Sequence, residues 1–306
     1  MVTQPDRPAG RGQRLVATPV KRAALERGLR VFEPQKLKPF VEDARALGAD
    51  AFVVASYGKI VPPGLLDVVP TAFNVHPSLL PLYRGATPLQ SAIRDGRTET
   101  AVTIIAMDAG MDTGDVLVQE RTPIGADETY GALHDRLALR GAELVVDALA
   151  RYANGTLVRE TQADVARRLG IGDDEIAATA TRPLLKGDLE IDWSRKPDEV
   201  VALVRSLAPS PLARTTYLDE AIKVVAAHAV SLTALLDELA GDKPWLDGLS
   251  MCGFPGRELL YAVHGDDGAV IIDRLISPNR GESSAAEFVR RRLTQVRARM
   301  ASGHYP

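Results

Sequence analysis

Cysteine is almost missing from this 306-residue chain: Cys252 stands alone. That excludes a disulfide within the chain and a metal site built from several thiolates. A strong net charge is missing too. Thirty-seven Lys and Arg stand against 40 Asp and Glu, a net of −3. The whole molecule therefore exerts no electrostatic pull on nucleic acid, and any RNA contact must use a local basic patch. No apolar run approaches a membrane span, and the first residues lack a signal-peptide pattern, so the expected location is cytoplasmic. No internal repeat or low-complexity tract occurs. No Gly-x-Gly-x-x-Gly follows a strand, which removes support for a Rossmann-type dehydrogenase. What remains is 45% hydrophobic and 25% charged residues, enough for a sizeable core in one large or two ordinary domains.

Thr18 followed by Pro19 predicts a helix start. Leu29–Glu33 reads as a short strand, Pro39–Leu47 as a helix, and the apolar run Asp50–Ala55 as a buried parallel strand. A strand at Ala72–Val75, a helix at Ala86–Asp95, strands at Thr100–Met107 and Val116–Arg121, and a long helix at Tyr130–Tyr152 follow. This alternation predicts an α/β fold with a mostly parallel sheet. From Asn154 to Leu185 the chain is polar and reads as an extended segment between domains. A helix at Pro197–Leu207 then precedes short apolar runs at Ala213–Leu218, Ala221–Ala226, Leu259–Val263 and Ala269–Leu275, with a helix-like Leu232–Leu239 between them. These predict a small antiparallel β-barrel. The expected division is 1–177 catalytic, 178–207 linker and 208–306 barrel.

Two segments carry chemistry. The strand at Ala72–Val75 delivers Asn74 and His76, two residues apart, to one side of its carboxyl end, where ligands bind in open α/β sheets. The turn Pro77-Ser78-Leu79-Leu80-Pro81 beyond them is stiff and apolar, suited to a flat heterocycle. The loop Met107–Asp115 holds Asp108, Asp112 and Asp115, and a carboxylate there could orient an imidazole and raise its pKa. An Asn to stabilise an oxyanion, a His to move a proton and an Asp to hold the His suffice for attack of an amine on a carbonyl-like carbon. Taken singly, each residue is more often a cap, a solvated side chain or a turn former. Five positive charges, Arg7, Arg11, Arg14, Lys21 and Arg22, fall within sixteen residues and could hold phosphates, although an Arg-rich solvated loop reads the same way. A second group, Arg290–Arg292 with Arg297 and Arg299, reads as a solvated helix face, with contact to RNA as the alternative.

Asn74-Val75-His76-Pro77-Ser78-Leu79-Leu80-Pro81, then Arg84-Gly85-Ala86-Thr87-Pro88 and Met111-Asp112-Thr113-Gly114-Asp115, resembles the family of 10-formyltetrahydrofolate-dependent formyltransferases. The resemblance implies a Rossmann-like catalytic domain with Asn74, His76 and Asp112 as catalytic residues and no metal. It implies that Ser78, Leu79, Leu80 and Pro81, with Tyr57, Gly58 and Ile60, lie around the folate. The segment Thr3–Gly12 resembles the branch of the family acting on initiator methionyl-tRNA. This implies tRNA contacts from Arg7, Arg11, Arg14 and Lys21, a monomeric enzyme, and an OB-like C-terminal domain that binds tRNA. The family's opening strand, Gly-Thr-Pro loop and first helix have no counterpart before Met1, so a longer native protein is expected; an intact mass equal to that of this sequence would contradict it. Formyl transfer to an amino sugar or nucleotide, and binding without catalysis, remain as alternatives at this stage.

Overall fold

Thr18 caps the first helix as its sequence predicts. Its backbone is extended, its Oγ1 accepts from the Lys21 amide at 3.1 Å, and Pro19 opens the helix. In the computed structural model, residues 1–9, 12, 14–217, 220–238, 252–254, 258–264 and 268–292 are described. Arg11, Arg297, Arg299 and most of the turn at 265–268 therefore lie outside the described residues. By packing, the chain divides into two units: residues 1–84, 102–120 and 140–173, and residues 85–101, 121–139 and 174–306.

The first unit begins with a hairpin, β1 (Arg7–Ala9) against β2 (Arg14–Val16), followed by α1 (Pro19–Glu26) and α2 (Val41–Ala46). The expected strand at Leu29–Glu33 reduces to one bridge from Phe32 to Val2. The sheet that carries the site has the order β3-β4-β5-β6, with β3 (Phe52–Ala55), β4 (Ala72–His76), β5 (Glu99–Ala106) and β6 (Val116–Pro123). Only the β3–β4 pair is described as parallel. Between β4 and β5 the pairing is antiparallel, from Phe73 opposite Ala106 to His76 opposite Thr103. The expectation of a mostly parallel sheet is corrected accordingly: the sheet is mixed. Alternating strands and helices do not fix direction, because a connection may return to the end of the sheet it left instead of crossing back.

Phe73 is fully buried, and β5 is buried along Thr100–Ala106, a strand covered on both faces. The long helix α5 (Tyr130–Ala153) approaches the sheet closely at Gly141, where a Cβ would fall 2.8 Å from Val75 Cγ1. Tyr152 meets Phe73 edge-on with ring centroids 5.7 Å apart. Between β3 and β4 lies the one-turn helix α3 (Pro63–Leu66), and α4 (Pro88–Arg94) precedes β5.

The segment expected to run extended from Asn154 to Leu185 instead forms α6 (Gln162–Leu169) and α7 (Asp173–Ala178). The local signals were capping, not hydrophobicity. Thr161 Oγ1 accepts from the Asp164 amide at 3.2 Å, and Gly170 ends the helix in the left-handed conformation at φ 69°. Only Gln162, Val165 and Ala166 of α6 are buried, so its apolar stripe is too narrow to stand out in a polar run.

The second unit holds α8 (Pro197–Leu207), with Glu199 accepting from the Lys196 amide at 3.1 Å. It packs on an antiparallel sheet ordered β7-β8-β11-β10-β9, with β12 (Glu282–Ser284) beside β11. These strands are β7 (Ala213–Tyr217), β8 (Glu220–Val230), β9 (Cys252–Phe254), β10 (Leu259–Val263) and β11 (Ala269–Ile276), with α9 (Leu232–Glu238) after β8. A bulge at Asp273 interrupts the β8–β11 register, and bulges bend and twist a sheet. Val204, Leu207, Ile222, Val224, Leu260, Ile272 and Phe288 form the core of this unit.

Candidate active site

Strand alternation on β4 sends Asn74 and His76 toward the same neighbour, Asp112, 38 and 36 residues further along the chain. Asn74 Nδ2 donates to Asp112 Oδ1 at 3.1 Å. The other carboxylate oxygen lies 3.6 Å from His76 Nδ1, a close electrostatic contact rather than a hydrogen bond. On the far side of the ring, Nε2 lies 3.0 Å from the Tyr83 carbonyl, which fixes the proton on Nε2 and leaves Nδ1 as the acceptor of the neutral ring. Asp112 sits at φ 55° and Tyr83 at φ 58°, both left-handed and costly for residues with a Cβ, about 1–2 kcal/mol each. Both strained residues place a group against His76.

Burial decides the charge state. His76 is 4% exposed, and loss of solvent pushes its pKa below the ordinary imidazole value; Asp112 and the Tyr83 carbonyl push upward but do not prevail. Asp112 pushes the imidazole upward as expected, but burial prevails, so the net shift is downward and His76 rests neutral at pH 7.

The turn after His76 is an interior scaffold. Ser78 and Leu80 are fully buried. Ser78 Oγ donates to the Leu82 carbonyl at 2.7 Å, Thr103 Oγ1 donates to the Ser78 carbonyl at 2.7 Å, and Gln119 Nε2 donates to the Leu80 carbonyl at 2.9 Å. Leu80 packs with Ile105, Val116 and Val165. Pro81 is buried too, so of the four turn residues assigned to the folate only Leu79 keeps a half-buried side chain. In the second assigned segment, Gly58 takes φ 72°, Tyr57 packs against a core of Leu37, Phe40 and Leu65, and Ile60 is 78% exposed. Gln4 Nε2 donates to the Tyr57 carbonyl at 2.6 Å.

Arg7 and Arg14 are exposed on the hairpin, beside Leu15, which is 70% exposed. Lys21 is different. Its ammonium is 2.9 Å from Asp6 and 2.8 Å from Glu33, and these hydrogen bonds raise its pKa. Its charge is therefore already answered within the chain. Of the C-terminal arginines, two among the described residues are likewise engaged: Arg290 pairs with Glu258 and Arg292 with Glu220. Among the described residues, no group of three or more His, Cys, Asp or Glu is placed to hold a metal ion.

Tyr83 and Gln162 escaped the sequence reading. Gln162, on α6, donates from Nε2 to the carbonyls of Asp112 (2.7 Å) and Gly114 (2.9 Å). Its Oε1 accepts from Arg84 Nε and Nη2 at 2.9 and 2.6 Å. No spacing could reveal it, since it stands 50 residues from Asp112.

The formyl transferase profile matches residues 1–149, and the profile of the formyl transferase C-terminal domain matches residues 183–293. A methionyl-tRNA formyltransferase of Marinobacter nauticus is 43% identical over 232 residues, covering 74% of this chain and 71% of that protein. One from Geobacter metallireducens is 44% identical over 298 residues, covering 94% and 86%. Among solved structures, the N-formyltransferase of Helicobacter canadensis, in complex with folinic acid and dTDP-3-aminofucose, aligns with a TM-score of 0.58 at 16% identity, over 88% of this chain and 86% of that one. A variant of HypX from Aquifex aeolicus aligns with a TM-score of 0.60 at 18% identity, over 90% and 46%. At those identities the structures speak for the fold; the sequence relatives speak for the lineage, and the chain belongs to the formyl transferase family.

Proposed function

We propose that this chain transfers the formyl group of 10-formyltetrahydrofolate to the α-amino group of methionyl-tRNA, with Asn74, His76 and Asp112 at the reacting centre. The observation that carries the reading is the convergence of Asn74 and His76 on the two oxygens of one carboxylate, in a chain 43–44% identical to methionyl-tRNA formyltransferases. The residue set fits a formyl donor: an amide N–H donor, a neutral imidazole acceptor and a carboxylate lie together. Leu79 and the 57–60 segment are the parts we assign to holding the folate.

When bound, the folate supplies the formyl carbon as the electrophile and, after the carbon–nitrogen bond breaks, a nitrogen that needs a proton. Asn74 has two amide hydrogens. One is held by Asp112, and the second is assigned to the formyl oxygen, where negative charge grows. Neutral His76 takes the proton that the attacking amine must lose, at Nδ1, and returns it to the departing nitrogen. The transient imidazolium then lies against Asp112, so the carboxylate stabilises the charged form that burial disfavours. Holding two substrates in attack geometry supplies much of the remaining acceleration.

Arg7 and Arg14 are assigned to the tRNA backbone together with Arg11, and residues 208–306 to a barrel-like, OB-like domain that extends the tRNA contact. The enzyme would act as a cytoplasmic monomer on the initiator tRNA. The acceptor is tested by competing methionyl-tRNA with small amino-sugar nucleotides as formyl acceptors. Transfer to methionyl-tRNA is expected; transfer to the small amines with none to methionyl-tRNA would overturn the assignment.

A further inference from the structure

We infer that Gln162 is a positioning residue for this reaction, a clamp that holds Asp112 in register with His76 and Asn74. The inference rests on the formyl-transfer reading above.

The geometry is a closed circuit. His76 donates to the carbonyl of Tyr83, and Arg84 is the next residue in the chain. Arg84 donates twice to Gln162 Oε1, Gln162 donates to the Asp112 carbonyl, and the Asp112 carboxylate faces back toward His76. Of its members, His76, Arg84 and Asp112 belong to segments that the sequence marks, and Tyr83 and Gln162 do not. Gln162 is 5% exposed, and its amide is saturated, with both N–H groups given to carbonyls and Oε1 receiving two arginine donors. The side chain has therefore no further hydrogen-bonding capacity to spend on a substrate, which separates positioning from catalysis.

What the clamp grips is the part of the site least able to hold itself. Asp112 has a left-handed backbone, and Gly114 lies so close to the Ala106 carbonyl that a Cβ there would clash at 1.7 Å. Fixing the carbonyls on both sides of Thr113 fixes the peptide planes that aim the Asp112 carboxylate. Gln162 can do this because it is the first residue of α6, set by the Thr161 cap and held beside Val165, which is packed under Leu80. The same helix thereby ties the scaffold turn to the carboxylate loop.

The atoms suggest two separable changes. Gln162→Glu keeps an acceptor for Arg84 but removes both N–H donors and sets a carboxylate against two carbonyls. Gln162→Asn keeps the amide and its neutrality but is one methylene too short to span Arg84 and both carbonyls. Steady-state kinetics on the full chain should show kcat for Gln162→Glu lower by ~10–100-fold, with both KM values within about threefold, as expected when a reacting group is displaced by a fraction of an ångström to an ångström. Gln162→Asn should lose less, about five- to tenfold. With Asp112 less firmly held, the His76 titration midpoint followed by NMR should fall in Gln162→Asn. Ile93→Ala, at a buried position on α4 with no part in the site, should lower Tm and leave kcat within about twofold, which separates the clamp from general loss of stability. A kcat within twofold of the parent in Gln162→Glu, or an unmoved His76 midpoint in Gln162→Asn, overturns the inference. The NMR titration needs no substrate, so it tests the clamp even if the parent chain fails to formylate methionyl-tRNA, a failure that would count against the functional reading instead.

Discussion

The Asn74–His76–Asp112 centre and the Arg7–Arg14 hairpin use polar side chains in opposite ways. At the centre, His76 is almost entirely buried, Asn74 donates to Asp112, and the imidazole is aimed by the Tyr83 carbonyl. On the hairpin, Arg7 and Arg14 are exposed, and among the described residues neither has a carboxylate partner. Burial gives a few groups altered proton affinity and fixed geometry; exposure gives charge that an incoming polyanion can use. Lys21 shows that basic sequence alone does not separate the two regimes, because Asp6 and Glu33 have already claimed its charge.

The contrast breaks most visibly at His76. His76→Ala should lower kcat by ~10²–10⁴-fold, the range for a lost general acid–base group, while tRNA affinity measured by filter binding stays nearly intact. Near-normal turnover would remove His76 from the mechanism. Asn74→Ala should follow, losing ~10²–10³-fold in kcat as an oxyanion donor.

The pH profile sharpens the account of burial. The folded-state pKa of His76 lies below its unfolded value, so the neutral ring contributes its full stability above about pH 6.5, and that contribution is lost as pH falls from there toward the folded pKa. In kinetics, kcat/KM should rise through an inflection below pH 6.5 and then level. Asp112→Asn should move that inflection further down, since the carboxylate is the charge that raises it. An inflection above 6.5 would contradict a burial-dominated site.

Smaller effects belong to the hairpin. Arg14→Ala should raise KM for the tRNA several-fold with kcat unchanged, and reduce the slope of log affinity against log salt by about one. Lys21→Ala should change tRNA KM less than Arg14→Ala, because its ammonium is engaged internally. Equal effects at the two positions would mean that the Asp6 and Glu33 pairs dissolve when tRNA binds.

The parts of the fold that were legible in the sequence are those with strong local causes. Thr18-Pro19 marks a helix start, the apolar period from Leu133 to Leu149 marks α5, and the runs at Leu259–Val263 and Ala269–Leu275 mark β10 and β11. Direction in the sheet was not legible, since antiparallel pairing of β4 with β5 is settled by where the chain re-enters. Helix α6 was missed because a cap and a three-residue stripe hold it, where a broad apolar face would have announced it. Asn74, His76 and Asp112 could be named from two motifs, and the structure brings them together. The buried state of Ser78 and Leu80, and the part played by Gln162, depend on packing between segments far apart in sequence, which no local pattern encodes.

The most direct test is formylation of methionyl-tRNA by the purified chain with 10-formyltetrahydrofolate, run beside His76→Ala. Formyl transfer by the parent, reduced at least a hundredfold in the variant with tRNA still bound, is the predicted result. Absence of transfer by a folded, tRNA-binding parent, or equal rates in the two proteins, would contradict the assignment of this buried centre to formyl transfer.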